Sequence, residues 1–263
     1  MFGEEVNKSP FIKLMEKTFE VKRSNIVFAL DLTSKDSDNL LSKSLEILEL
    51  VSPYICAVKV NRHLTLPLGL FDGVERIVKF AHDLGLPTIM DCKINDIGHT
   101  NRVIAEYYFK AGFDAVTANP FIGWEDGLDS VFKVARKMGK GVILLVYMSH
   151  KASIEGYGQL IHNTKTGTIK PQYIIFAEKA LSWGADGAVV GATYPEKIRE
   201  VRDVLGDRIP IYSPGVGAQG GSIEDAVRSG AKYLIVGRSI LLAKDPGKAA
   251  KTIRDIALQA LRL

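Results

Sequence analysis

Eight times between residues 25 and 239, a short run of aliphatic and β-branched residues gives way to a longer stretch whose apolar positions recur at helical spacing. The short runs occupy residues 25–31, 55–60, 87–93, 115–120, 141–148, 187–193, 210–216 and 233–239. Each is almost continuously apolar, as a strand covered on both faces must be. Helical periodicity fills residues 39–51, 73–84, 99–111, 127–138, 172–183, 195–205, 222–229 and 246 to the C-terminus, and a further helix at 11–20 precedes the first strand. Gly85, Gly112, Gly139, Gly184, Gly206 and Gly230 stand where helices stop, glycine being the residue that adopts the left-handed terminating conformation freely. Eight βα units joined by right-handed crossovers close into an α/β fold, a (β/α)8 TIM barrel with a short extra N-terminal helix, as one domain over residues 1–263. An open doubly wound sheet is the other arrangement this alternation permits.

Composition narrows the function. Hydrophobic residues make up 46% and charged residues 24% with no shift along the chain, so no linker divides it. The net charge of +4 arises from 34 basic and 30 acidic residues spread evenly, which speaks against nucleic-acid binding and suits a small anionic ligand. Cys56 and Cys92 each lie inside an apolar run and cannot build a disulfide framework or a four-cysteine zinc site. Residues 1–10 lack an apolar signal core, and no run approaches the roughly 18 apolar residues of a membrane span. The expectation is a cytoplasmic protein with no membrane partner.

Barrel active sites are built at the C-terminal ends of the strands, so the polar residues there carry the functional reading. The first strand ends at Asp31, the second carries Lys59, the third Asp91 and Lys93, and the fifth leads into Ser149. Strand side chains alternate faces, so Asp91 and Lys93, about 6.7 Å apart along the chain, point one way while Cys92 and Ile94 point the other. Lys59 on the adjacent strand extends these into a row of lysines and aspartates, and Asp96 falls in the following loop. Buried charges of this kind form either a structural ion-pair network or a reactive site, and the further strand-end charges Asp31 and Lys59 favour the site.

Residues 215–220, Gly-Val-Gly-Ala-Gln-Gly, match the glycine pattern of dinucleotide-binding turns. That pattern belongs at the first turn of a nucleotide domain, whereas only 43 residues follow Gly220 and the next strand ends in Arg238 rather than an acid. A glycine turn after the seventh strand, with Gly237 and Arg238 after the eighth, reads instead as a barrel phosphate grip; a plain tight turn is the alternative. The five histidines show no metal-ligand spacing. Residues 151–171 are polar and long for a βα connection, as a lid or an irregular surface loop would be.

Asp91-Cys-Lys93-Ile-Asn-Asp96-Ile resembles the D-x-K-x-x-D signature of the orotidine 5'-monophosphate decarboxylase family. Phe28-Ala-Leu-Asp31, Val58-Lys59-Val, Met148-Ser149-His, the stretch 213–221 and Ile235-Val-Gly-Arg238-Ser resemble the family's other strand ends in order. The resemblance implies loss of CO2 from orotidine 5'-monophosphate to give UMP without a cofactor or metal. It implies Lys93 as proton donor and Asp91 as the carboxylate set against the substrate's own, in a charge array with Lys59 and Asp96. Asp31 and Lys59 are implied on the ribose hydroxyls, Ser149 on the pyrimidine, Gln219 between base and phosphate, and Gly237 with Arg238 on the phosphate. It further implies a homodimer in which Asp96 and Thr100 reach the partner's site. Two stretches depart from the family's pattern: the long connection after Ser149, and the polar run 61–65 after the second strand. Metal-dependent sugar-phosphate enzymes resemble this barrel too, but carry an acid where Lys59 stands. A nucleotide-binding barrel without turnover is the other alternative, and the buried charges, which binding alone does not need, speak against it.

Overall fold

In the computed structural model, which describes residues 8–34 and 36–261, eight parallel strands close on themselves. They are β1 (Ile26–Leu30), β2 (Ala57–Asn61), β3 (Thr88–Ile94), β4 (Ala115–Ala118), β5 (Gly141–Tyr147), β8 (Gly187–Val190), β9 (Ile211–Pro214) and β10 (Tyr233–Val236), with an antiparallel hairpin of β6 (Leu160–His162) and β7 (Ile169–Pro171) between β5 and β8. The barrel order β1-β10-β9-β8-β5-β4-β3-β2 excludes the open sheet. The helices are α1 (Pro10–Lys22), α2 (Ser37–Val51), α3 (Arg62–Leu68), α4 (Glu75–Asp83), α5 (Gly98–Lys110), α6 (Asp129–Met138), α7 (Ser153–Gly156), α8 (Gln172–Trp183), α9 (Pro195–Leu205), α10 (Ile223–Arg228), α11 (Arg238–Leu241) and α12 (Pro246–Ala260). Residues 1–7 of the N-terminal reading, and residues 262 and 263 at the end of the last helix expected from the sequence, lie outside the described residues. Among the described residues no helix is long and apolar enough to cross a membrane.

Strand alternation sorts the core into two layers. Phe28, Val58, Met90, Val116, Leu144 and Leu234 point outward into the shell between strands and helices. Val27, Ala29, Ala57, Ile89, Ala115, Ile143, Leu145, Val189, Tyr212, Tyr233 and Ile235 point inward and fill the barrel. The lower end of this inner layer is closed by Phe11 and Met15 of α1, both fully buried. Gly141 makes that closure possible: a Cβ there would stand 2.4 Å from Phe11 Cδ1. With the lower end sealed by apolar packing, the inward-facing positions at the upper end are the ones left to face a ligand.

Three local features differ from the sequence reading. The polar run after β2 is helical: Asn61 takes the cap position, its Oδ1 accepting the Arg62 N–H at 2.6 Å, and α3 follows. Residues 151–171 hold α7 and the β6–β7 hairpin rather than an irregular loop, and the hairpin base is tied to α8 by the Gln172 N–H donating to the Gln159 carbonyl at 2.8 Å. Finally, the last strand stops at Val236, so Arg238 opens the short helix α11.

Candidate active site

Continuing the inward phase of each strand by two residues reaches the site. Ala29 leads to Asp31, Ala57 to Lys59 and Asn61, Ile89 to Asp91 and Lys93, Ala115 to Thr117, and Ile235 to Gly237; the seven residues so reached line one cavity of about 210 Å³ at the C-terminal ends of the strands. Ser149, Gln219 and Arg238 line the same cavity.

The charges form an alternating row. Asp31 Oδ1 lies 3.7 Å from Lys59 Nζ, Lys59 Nζ donates to Asp91 Oδ2 at 2.8 Å, and Lys93 Nζ donates to Asp91 Oδ1 at 2.7 Å. Lys59 and Asp91 are buried, at 6% and 9% exposure, whereas the Lys93 side chain keeps 26%. Burial alone would raise the Asp91 pKa, but the Lys59 and Lys93 ammoniums outweigh it and hold the carboxyl well below its usual range. For Lys59 burial works the other way, and the Asp91 and Asp31 carboxylates overcome it and raise the ammonium above its ordinary value. Lys59 and Asp91 are thus both charged at neutral pH. Asp31 Oδ1 is buried and accepts no hydrogen bond among the described residues; it lies toward the Lys59 ammonium, beyond hydrogen-bond distance. Cys92, on the opposite face of β3, is buried with its thiol pushed up to about 12, and takes no part.

Two lining residues with polar side chains were not singled out as site residues by the sequence reading. Thr117 donates to Asp91 Oδ1 at 3.0 Å, and Asn61 Nδ2 lies 3.5 Å from Asp91 Oδ2. Both are in inward phase on their strands, which is the signal that finds them. Asp96 and Thr100, by contrast, do not line the cavity: Asp96 is exposed, and its Oδ1 accepts the Ile97 N–H at 2.7 Å. The cavity of one chain is therefore built without them.

At the opposite wall, Gly215, Gly217 and Gly220 have φ of +97°, +69° and +89°, so only glycine takes this path without strain. A Cβ on Gly215 would come within 2.9 Å of Ser149 Cβ, and one on Gly217 within 2.6 Å of Ser239 Oγ. The turn is thereby pressed onto both the β5 and β10 ends, and the Ala218 N–H donates to Ser239 Oγ at 3.2 Å. The glycine turn follows β9, which stands opposite β3 in the barrel order, while Gly237 and Arg238 follow β10, next to β1, where a Cβ on Gly237 would lie 3.6 Å from Asp31 Oδ2. The turn, the Gly237 backbone and the Arg238 guanidinium suit an oxyanion group at one end of a ligand, with Asp91 and Lys93 at the other.

The sequence profile of the orotidine 5'-phosphate decarboxylase / HUMPS family matches residues 24–253. The chain belongs to this family. Orotidine 5'-phosphate decarboxylase of Methanosarcina mazei is 39% identical over 237 residues, spanning 90% of this chain and 96% of the relative. The crystal structure of orotidine 5'-phosphate decarboxylase from Pyrococcus horikoshii OT3 superposes with a TM-score of 0.72 at 34% identity, over 90% of this chain and 99% of that one. The orotidine 5'-monophosphate decarboxylase of Methanocaldococcus jannaschii, complexed with inhibitor BMP, superposes with a TM-score of 0.74 at 30% identity, over 89% and 98%. The resemblance read from residues 91–97 thus holds at the level of the family. The family match begins at Ser24, so α1, the helix that seals the barrel floor, precedes it.

Proposed function

We propose that this protein decarboxylates orotidine 5'-monophosphate to UMP, without a cofactor, using its own fixed charges. The observation that carries the proposal is the Asp31–Lys59–Asp91–Lys93 row, buried at Lys59 and Asp91, sharing one cavity with a glycine turn and an arginine. Breaking the bond between pyrimidine C6 and its carboxylate leaves the electron pair on C6, where no ring group withdraws it. Stabilisation then has to come from positive charge already in place, and Lys93 provides it. The Lys93 ammonium transfers its proton to C6 as CO2 departs, and the neutral amine recovers a proton from solvent, which its partial exposure allows. Asp91 is set against the substrate carboxylate; Asp31, whose side chain keeps partial exposure at the cavity, and Lys59 take the ribose hydroxyls. Ser149 meets the pyrimidine, Gln219 spans base and phosphate, and Gly237 and Arg238 hold the phosphate. Binding energy from the phosphate positions the distant reacting carbon.

The test is direct: protein mixed with orotidine 5'-monophosphate should produce UMP, followed by ultraviolet absorbance, at the same rate with a chelator present. No product, or loss of activity on chelation, would count against the proposal. The metal-dependent sugar-phosphate reading is disfavoured by Lys59, whose buried ammonium would repel a divalent cation at that strand end.

Arg238→Ala should raise KM for the nucleotide about 10- to 100-fold, the worth of a lost charge-assisted bond, while leaving affinity for the unphosphorylated nucleoside unchanged. Equal losses for both would remove the arginine from the phosphate.

We also propose a homodimer in which Asp96 and Thr100 complete the partner's cavity. Asp96 is exposed beside Ile97, itself 60% exposed, and the connection packed on the start of α5 displays Phe121 at 72%. Such apolar exposure around a polar site residue suits a covered face. Sedimentation should give a dimer, and a monomer of full activity would refute it.

A further inference from the structure

The geometry points to Thr117 as a positioning residue for Lys93 and Asp91 together, an inference that rests on the proposed decarboxylation and deepens it. The β3–β4 ladder pairs Ile89 with Ala115 and Met90 with Val116, then resumes only at Ile94 with Ala118. Four steps on β3 are thus matched to two on β4, a bulge that leaves backbone groups of the intervening residues without ladder partners. Thr117 stands opposite this gap. Its Oγ1 accepts the Lys93 N–H at 2.9 Å in place of a β4 carbonyl, and donates its own proton to Asp91 Oδ1 at 3.0 Å.

The bulge matters because it sets where Lys93 points. Lys93 has φ of +51°, the left-handed region that a lysine enters only against backbone strain and keeps only where its surroundings hold it there. The bond from its N–H to Thr117 is such a hold. It turns the chain so that Lys93 Nζ comes back to the same Asp91 oxygen that Thr117 contacts. One hydroxyl therefore ties the backbone that aims the ammonium to the carboxylate that receives it. Threonine is fitted to this because a β-branched side chain in a strand has a stiff χ1, and at 2% exposure Thr117 has nowhere else to turn.

Thr117→Val keeps the shape and removes the hydroxyl. It should lower kcat about 10- to 100-fold, as expected for a small misplacement of reacting groups, with KM and UMP affinity within about threefold of wild type. Thr117→Ser, which retains both bonds, should recover most of the loss. A merely structural role would lower the unfolding midpoint without splitting kcat from KM, and serine would not restore kcat selectively. Should Thr117→Val not fold, Thr117→Ala carries the same test. Wild-type kcat in the hydroxyl-free variant, or a serine variant as impaired as the valine, would overturn the assignment. Failure of the proposed reaction is separately visible, since wild-type protein would then make no UMP.

Discussion

Lys93→Ala should leave a protein that folds, binds UMP and turns over orotidine 5'-monophosphate at least about 10⁴-fold more slowly. The expected loss combines removal of a proton donor, about 10²–10⁴-fold, with removal of the positive charge facing C6, about 10²–10³-fold, two effects of one group that do not simply multiply. Folding survives because Asp91 keeps its bonds from Lys59 at 2.8 Å and from Thr117 at 3.0 Å, so no buried carboxylate is stranded. Nucleotide affinity survives because Gly237 and Arg238 lie elsewhere in the cavity. Single-turnover absorbance measures the first quantity and titration calorimetry with UMP the second. Turnover within tenfold of wild type would remove Lys93 from the reaction, and loss of UMP binding would show that it serves the ground state instead.

The fold was open to sequence reading because a parallel barrel writes itself locally: each strand is an unbroken apolar run, and each helix carries its own period and stop. The charged row was open to it for the same reason, since Asp31, Lys59, Asp91 and Lys93 each interrupt an apolar run at one end. Thr117 interrupts nothing. A single hydroxyl between Val116 and Ala118 looks like an ordinary strand residue, and its importance arises from a bulge on the neighbouring strand, a pairing of residues about 25 apart that no local pattern records. The helix α3 was hidden by its composition: Arg62-His-Leu-Thr looks like a loop until Asn61 is seen capping it. The β6–β7 hairpin was hidden because its strands are three residues each, too short for a period to be read. Asp96 and Thr100 mark a different boundary: their implied roles belong to a pair of chains, and the packing within one chain leaves them outside its cavity.

Asp91→Asn should cost about 3–5 kcal/mol of stability at neutral pH as well as turnover, the range found when one partner of a buried ion pair is removed. The carboxylate accepts bonds from Lys59, Lys93 and Thr117, and an amide can return neither charge. The pH dependence has a definite sign. In the native protein burial pushes Asp91 up, but the two ammoniums prevail and depress it; its stabilising contribution is therefore present above the ordinary carboxylate value of about 4 and lost as pH falls through the native one. Burial pushes Lys59 down, but Asp91 and Asp31 prevail and elevate it; its contribution is full below the ordinary lysine value of about 10.4 and lost as pH rises through the native one. Between these limits the pair adds no slope. In Asp91→Asn, Lys59 keeps only Asp31 at 3.7 Å, so burial is no longer overcome and the ammonium is depressed instead. A lysine depressed on folding binds fewer protons in the native state than in the unfolded one, so the variant gains stability as pH rises. Urea denaturation at pH 6 and pH 9 should show the gap between variant and wild type narrowing at the higher pH. A gap that stays constant, or that widens, would mean that Lys59 does not depend on Asp91 for its charge.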